Sequence, residues 1–318
     1  MRSYRSYALG AALLSLALLA GACGSGGGGS NATPSGGNTI ASTFVFGAPP
    51  DCPPNPFCQI GLRKTYGIVF KEVKKLDFGG PLTVNALKSG AVQVGELFSS
   101  SVYDPDFVVL QDDKHLEQAD NLVPIIRKAV DSPDIDAILN SVMAKLTTPI
   151  LIGLNKQYDV DHQDPASIAQ AFIQQYSLEG PKTNRGAGKT LVIGDSFSGN
   201  EQLILDNACK ILLENAGYTV KLKDNIESRK IGDTALFKGE IDIKIEYVGS
   251  EAKQNDPTAK TNGDPSNNLT ILRGIMDAKG VNVLNFSPAT DENVFVVTKA
   301  TATKYHLSKL SDLAKPAP

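Results

Sequence analysis

The sequence predicts an α/β protein built as two similar lobes, and three observations carry that expectation. Short apolar strands alternate with amphipathic helices from Thr43 to the C-terminus, the spacing of mainly parallel sheets covered by helices. One helix-to-strand unit occurs twice, as Ala86-Leu87-Lys88-Ser89-Gly90-Ala91-Val92-Gln93-Val94 and as Ala235-Leu236-Phe237-Lys238-Gly239-Glu240-Ile241-Asp242-Ile243. In each, a glycine tolerates the left-handed conformation that ends a helix, and a strand follows. Finally, 318 residues of which 42% are hydrophobic suffice for two cores.

Taken in order, strands are predicted at 44–46, 68–70, 92–97, 107–110, 122–126, 191–193, 219–222, 241–245, 281–284 and 294–297. Helices are predicted at 82–88, 135–145, 150–156, 165–176, 200–215, 232–237 and 269–278. Ahead of them, Met1-Arg2-Ser3-Tyr4-Arg5 and an apolar run from Ala8 to Ala22 read as a secretory signal, 1–22, too short to span a bilayer. Leu19-Ala20-Gly21-Ala22-Cys23 resembles a bacterial lipobox, which makes Cys23 the expected lipidated residue. Ala20 departs from that pattern, and ordinary cleavage would leave Cys23 a free thiol. The Gly/Ser-rich stretch that follows, to about Ser42, cannot bury apolar surface. It reads as a flexible tether with a reach of ~25 Å.

Composition excludes some functions. A formal net charge of -3 argues against nucleic acid as a partner. Three histidines and four cysteines without CxxC or HExxH spacing leave no expected metal site. Arg185-Gly186-Ala187-Gly188-Lys189-Thr190 looks like the end of a phosphate-binding loop, but Thr183 stands where the first glycine belongs and the segment precedes a strand. It reads as part of a linker, 179–189. His115, His162 and His306 read as surface residues. No Gly-x-Ser-x-Gly is present, and nothing in the motifs supports an enzyme or a cofactor. Cys52 and Cys58 frame a segment with three prolines, expected to be a stiff exposed loop closed by a disulfide, or else to carry two unpaired thiols. Cys209, among Leu205, Ala208 and Leu212, reads as a buried small hydrophobe.

Gly194-Asp195-Ser196-Phe197-Ser198-Gly199-Asn200-Glu201-Gln202-Leu203, Asn225-Ile226-Glu227-Ser228-Arg229 and Asp242-Ile243-Lys244-Ile245-Glu246-Tyr247-Val248-Gly249 resemble one family. It is the osmoprotectant class (glycine betaine, choline, carnitine) of ABC-transporter substrate-binding proteins. Ser287-Pro288-Ala289-Thr290-Asp291, Gly79-Gly80-Pro81-Leu82-Thr83 and Val108 to Leu116 resemble it too. The resemblance implies a periplasmic-binding-protein-like fold of type II, two α/β lobes joined by two crossing strands. The order of segments departs from the family's, because the part like Thr43 to Leu178 comes first and the part like Thr190 to Ala317 second. That order implies a circular permutation. Lobe two is expected at 43–119 plus 285–318, and lobe one at 120–284.

The family grips a quaternary ammonium with aromatic faces, which attract a cation that cannot donate hydrogen bonds. Carried over, Tyr247 keeps one box tyrosine, Phe98 and Phe295 fall where two others would be, and Asp120 falls at the fourth. There it would add a direct charge that favours a cation without its own carboxylate, such as choline. Asn55 stands where relatives carry an arginine for a ligand carboxylate. Ser198, Asn200 and Gln202 open a helix whose free backbone N–H groups suit an anionic or polar ligand end or a simple N-cap. The alternative to a ligand cleft is that these positions merely pack the hinge. The implied protein is a monomeric, lipid-anchored binding protein on the extracytoplasmic face of the cell membrane. It would hand a small osmolyte to an ABC permease and its ATPase, without catalysis. A binding protein for another polar or aromatic compound, or a sensing lipoprotein uncoupled from transport, fits the same sequence.

Overall fold

The computed structural model describes residues 38–318 apart from 51, 78, 181, 195–199, 225 and 227, with the side chain of Asn200 also outside the description. Cys23, Ser198, the signal and the tether as far as residue 37 lie outside the described residues. The expected end of the tether is no flexible coil: Ile40 and Ala41 are buried in a short helix, Ile40–Thr43. The chain runs α1 (Ile40–Thr43), β1 (Val45–Ala48), α2 (Gln59–Gly61), a π-helical turn (Leu62–Tyr66), β2 (Glu72–Lys75), α3 (Pro81–Lys88), β3 (Val94–Phe98) and β4 (Phe107–Leu110). It continues through β5 (Leu122–Arg127), α4 (Pro133–Lys145), α5 (Thr148–Asp159), α6 (Pro165–Gln175), β6 (Thr190–Gly194), α7 (Asn200–Asn215) and β7 (Thr219–Lys223). The last part is α8 (Arg229–Lys238), β8 (Ile243–Tyr247), α9 (Val248–Asn255), α10 (Pro265–Asp277), β9 (Val281–Val283), β10 (Asn293–Thr298), α11 (Lys299–Tyr305) and a 3-10 turn (Leu310–Ala314).

Two five-stranded sheets result, β2-β1-β3-β10-β4 and β7-β6-β8-β5-β9. They are built to one plan. In the first, β1 is parallel to β2 and β3, and β10 lies antiparallel to β3 and β4. In the second, β6 is parallel to β7 and β8, and β5 lies antiparallel to β8 and β9. The chain passes between sheets through 111–121 and returns through 284–292, so each sheet receives one antiparallel strand immediately after a crossing. This is the two-lobe, type II α/β fold.

Helices cover both faces of each sheet. Against the second sheet, α4 to α7 pack on one face around Leu139, Phe172 and Leu205. On the other, α8 to α10 pack around Leu236, Ala252 and Leu272. On the first sheet, one face meets α1, the Cys52–Cys58 segment and α11, and the other meets α3. Burial on both faces is why the central strands read as near-continuous apolar runs. The two copies of the repeated unit hold corresponding places, α3 into β3 and α8 into β8. Gly90 and Gly239, with φ of 73° and 76°, end the two helices.

Three readings change. The predicted strand 68–70 is not a strand: Ile68 and Phe70 are buried side chains of an irregular segment. The ladder begins at Glu72, in an edge strand whose charged residues hide it from a hydrophobic pattern. The cysteine segment is exposed only in part: Pro54 and Pro56 face solvent, but Cys52 and Cys58 are fully buried and joined as a disulfide. The two ends of the proline-stiffened segment turn inward because the first lobe's core takes up both sulfurs. The third change is the helices absent from the sequence reading, among them α1, α11 and α9, the last of which follows β8 directly.

Candidate functional site

A cavity of about 800 Å³ opens where the parallel strands end. Pro49 follows β1, Gly79 and Gly80 follow β2, and Phe98 ends β3. From the other sheet, Glu201 and Gln202 come just after β6, Ile226 and Arg229 after β7, and Tyr247 ends β8. Ligands of open α/β sheets collect at these carboxyl ends. Both crossings supply further walls through Glu117, Gln118, Asp120 and Asp291.

Tyr247, Phe98, Asp120, Asn55 and Gln202 share this cavity. Phe295 does not. It lies opposite Glu96 in the β3–β10 ladder, while the cavity end of that ladder is the pair Phe98 and Asn293. Two residues further from the cavity end, its ring is 2% exposed and packs on Phe46, centroids 5.9 Å apart. The third aromatic face is instead Phe57, carried inward by the disulfide segment. Asn55 of the same segment accepts a hydrogen bond from Phe57 N at 2.8 Å, a local turn that aims both residues at the cavity.

Asp120 corrects a second expectation. Its carboxylate is not a free charge for a ligand. It accepts bonds from Gly249 N and Ser250 N, both at 2.8 Å, and from the Ser250 hydroxyl and the Gln118 amide. An acidic side chain there satisfies the orphan N–H groups that begin α9. Burial still outweighs those bonds and the nearby Arg229 charge, and the carboxyl is pushed up to about 6.

The remaining acids crowd the same space. Tyr247 donates its hydroxyl to Glu201, and Asn155 Nδ2 donates to Glu201 at 2.9 Å and to Ser100 O at 3.2 Å. Burial raises the Glu201 and Asp291 carboxyls above the usual range, and their mutual repulsion adds to this for Asp291. Glu117 is raised by burial and then by Glu96, Asp112 and Asp120. In all, Glu96, Glu117, Asp120, Asp159, Glu201 and Asp291 line the cavity, against Arg229 as the single basic side chain there among the described residues. Arg229 lies 5.9 Å from the Tyr247 ring centroid, and Glu246 holds its Nε at 2.8 Å. Behind it, fully buried Lys244 bridges Asp233 at 2.5 Å and Glu246 at 2.9 Å. That ammonium and the Arg229 guanidinium fill the acidic cluster Asp233, Glu246 and Glu251, and the disulfide consumes the thiols beside Glu96. Neither group is therefore an open metal site.

Sequence reading missed Phe57, Glu96, Glu117, Asn155, Glu201, Arg229 and Asp291. Glu96 was accessible by the two-residue period of β3, which places it on the face of Phe98. Glu201, Arg229 and Asp291 sit inside motifs already singled out. Glu117 and Asn155 carry no local signal.

Two lobes of one plan enclosing a polar cavity define a solute-binding protein. The family model for the substrate binding domain of ABC-type glycine betaine transport systems matches residues 44–175 and 189–318. The chain belongs to that family. The glycine-betaine-binding protein of Pseudomonas aeruginosa is 27% identical over 143 residues, which are 43% of this chain and 45% of that protein. The chain thus spans about half the length of this curated relative. Similar solved structures include the probable amino-acid ABC transporter extracellular-binding protein ytmK from Bacillus subtilis, with a TM-score of 0.42 and 12% identity over 86% of this chain and 89% of that one. A phosphate-binding protein from Streptococcus pneumoniae gives a TM-score of 0.42 and 13% identity over 86% and 94%.

Proposed function

We propose that the protein is the extracytoplasmic receptor of an ABC importer, capturing a quaternary-ammonium osmolyte such as choline or glycine betaine and passing it to the permease. The observation that carries this reading is the cavity's acidic lining, six acidic side chains against one arginine, together with the aromatic faces of Tyr247, Phe98 and Phe57. Such a wall favours an organic cation. It favours choline over glycine betaine, because a ligand carboxylate would meet like charges and Asn55 offers no compensating cation. Capture is binding with lobe closure about the two crossings. Lobe two is assigned to 43–119 plus 285–318, and lobe one to 120–284.

Calorimetric titration with choline and glycine betaine tests the reading. Choline should bind more tightly than glycine betaine, and Tyr247→Ala should weaken choline by about tenfold or more. Unchanged affinity in both Tyr247→Ala and Phe98→Ala would place the ligand elsewhere. We further propose that Cys23 is lipidated after removal of 1–22 and holds the body at the membrane through its tether. Cys23→Ser should release the protein from membranes, and continued membrane retention with unshifted mass would refute the anchor.

A further inference from the structure

The cavity holds more acceptors than a quaternary ammonium can use. Gln202 is 1% exposed and lines the cavity, yet neither atom of its amide has a hydrogen-bond partner among the described residues. Asn155, 5% exposed, spends its amide N–H groups on Glu201 and Ser100 while its Oδ1 has no partner among the described residues. On the hinge wall, Glu117 Oε1 is likewise unpartnered. The two amide oxygens can only accept, so whatever fills the cavity in place of water has to donate to them. Gln202 Nε2 calls for an acceptor, and Glu117, raised by burial and acidic neighbours, accepts once a cation ionises it. A trimethylammonium group has no N–H to give.

Charge points the same way. Six acidic side chains line the cavity with one basic side chain, and Arg229 is already held by Glu246 at 2.8 Å. The acids form one interacting group that reaches from Glu117 to Tyr247, whose hydroxyl donates to Glu201. Glu117 feels Glu96 and Asp120, and Asp291 feels Asp120 and Glu201. A volume of about 800 Å³ lies in the upper part of the range that encloses whole drug-sized ligands, leaving room beyond a single small head group.

We propose that the ligand carries a second cationic centre with N–H donors, an ammonium or guanidinium, accepted by Glu117 together with the amide oxygens of Asn155 and Gln202. This rests on the reading of the cavity as an organic-cation site and extends it from a monocation to a dication of the amine or guanidine class.

The test compares choline with (2-aminoethyl)trimethylammonium, in which an ammonium replaces the hydroxyl at nearly equal size, by calorimetry on the full-length protein. The dication should bind about tenfold or more tightly than choline. That advantage should shrink to about threefold or less in Glu117→Gln and in Gln202→Leu, each checked for an unchanged melting transition. If Glu117→Gln does not fold, Gln202→Leu alone decides. Equal binding of the two compounds, or an advantage that survives both substitutions, overturns the proposal. A third probe, 1,4-diaminobutane, separates this inference from the one it extends. If it binds with the same dependence on Glu117 while neither choline nor glycine betaine binds, the second centre stands and the quaternary head falls. If choline binds and neither dication gains, the quaternary reading stands and the second centre falls. Failure of every probe removes both.

Discussion

Asp120 shows how one side chain can line a ligand cavity and still serve the fold. Its oxygens receive two backbone amides and a serine hydroxyl at the start of α9. Asp120→Ala would leave those donors buried without a partner, at a cost of about 1–3 kcal/mol. Asp120→Asn keeps an acceptor and removes a buried charge, so it should be nearly neutral. Urea unfolding of the two variants checks this, and equal destabilisation by both would mean the charge itself is needed. The same burial sets a pH dependence. Asp120 binds its proton more tightly folded, at about 6, than unfolded, at 3.8. For an acid raised in this way, its contribution to stability is fully present below about pH 4 and is lost as pH rises through 6. Glu117, Glu201 and Asp291 are raised likewise and act in the same sense. The ligand-free protein should therefore melt lower at pH 8 than at pH 6, and choline should raise the transition more at pH 8. A ligand-free transition that climbs between those pH values would show that these acids are ionised at little cost. Little of this was legible in the sequence. Asp120 occupies a position where a motif comparison places a ligand group, but α9, the helix that claims its carboxylate, begins at Val248 just past the predicted strand 241–245, where no helix was expected.

At the scale of elements, what the sequence displays is what repeats locally. Alternating strands and helices, the glycine-ended helices α3 and α8, and the cysteine pair are all short-range patterns, and the structure contains them. What it hides depends on pairing over distance. In β8, Ile243-Lys244-Ile245-Glu246 alternates like a strand with one wet face, yet Lys244 and Glu246 are fully buried because α8 and α9 bring Asp233, Arg229 and Glu251 to meet them. Phe295 fails for a related reason: its strand was foreseen, but its distance from the cavity end is set by the register with β3. Phe57, which reaches the cavity in place of Phe295, depends on the disulfide ring. Replacing both Cys52 and Cys58 by Ala frees a segment of the chain in the unfolded state, worth about 2 kcal/mol for so short a ring, and opens small gaps in a dry core. The double variant should unfold at lower urea and bind choline several-fold more weakly, since Asn55 and Phe57 lose their fixed aim. Full ligand affinity in a clearly destabilised variant would show that the ring supports the fold without shaping the site.

At the scale of the whole molecule, the two ends of the folded body meet. Thr39 pairs with Pro316 in an antiparallel bridge, Ile40 N donates to Lys315 O at 2.9 Å, and Ala317 N donates to Asn38 O at 2.7 Å. The family match falls in two blocks, 44–175 and 189–318, separated by the segment between α6 and β6. Adjacent termini are what a rewired chain requires, because a short joint can close them without moving any packed element. The linker itself is held lightly against the end of α7, through Thr183 N to Asn215 O at 2.8 Å and Gly186 N to Ala216 O at 3.0 Å. We therefore propose that the gene order is a circular permutation of the family's. A chain running from Thr190 to Pro318, then a short Gly-Ser joint, then Asn38 to Leu178 keeps both sheets, both crossings and every cavity wall. Changing which loop is open costs only a difference in closure entropy, which grows slowly with length, by about 0.6 kcal/mol per doubling. The reordered protein should show the same circular dichroism, a melting transition within about 5 °C of the natural order, and equal ligand affinity. An unfolded product, beside a stable natural chain, would mean that the segment between α6 and β6 is a structural necessity and no mere splice.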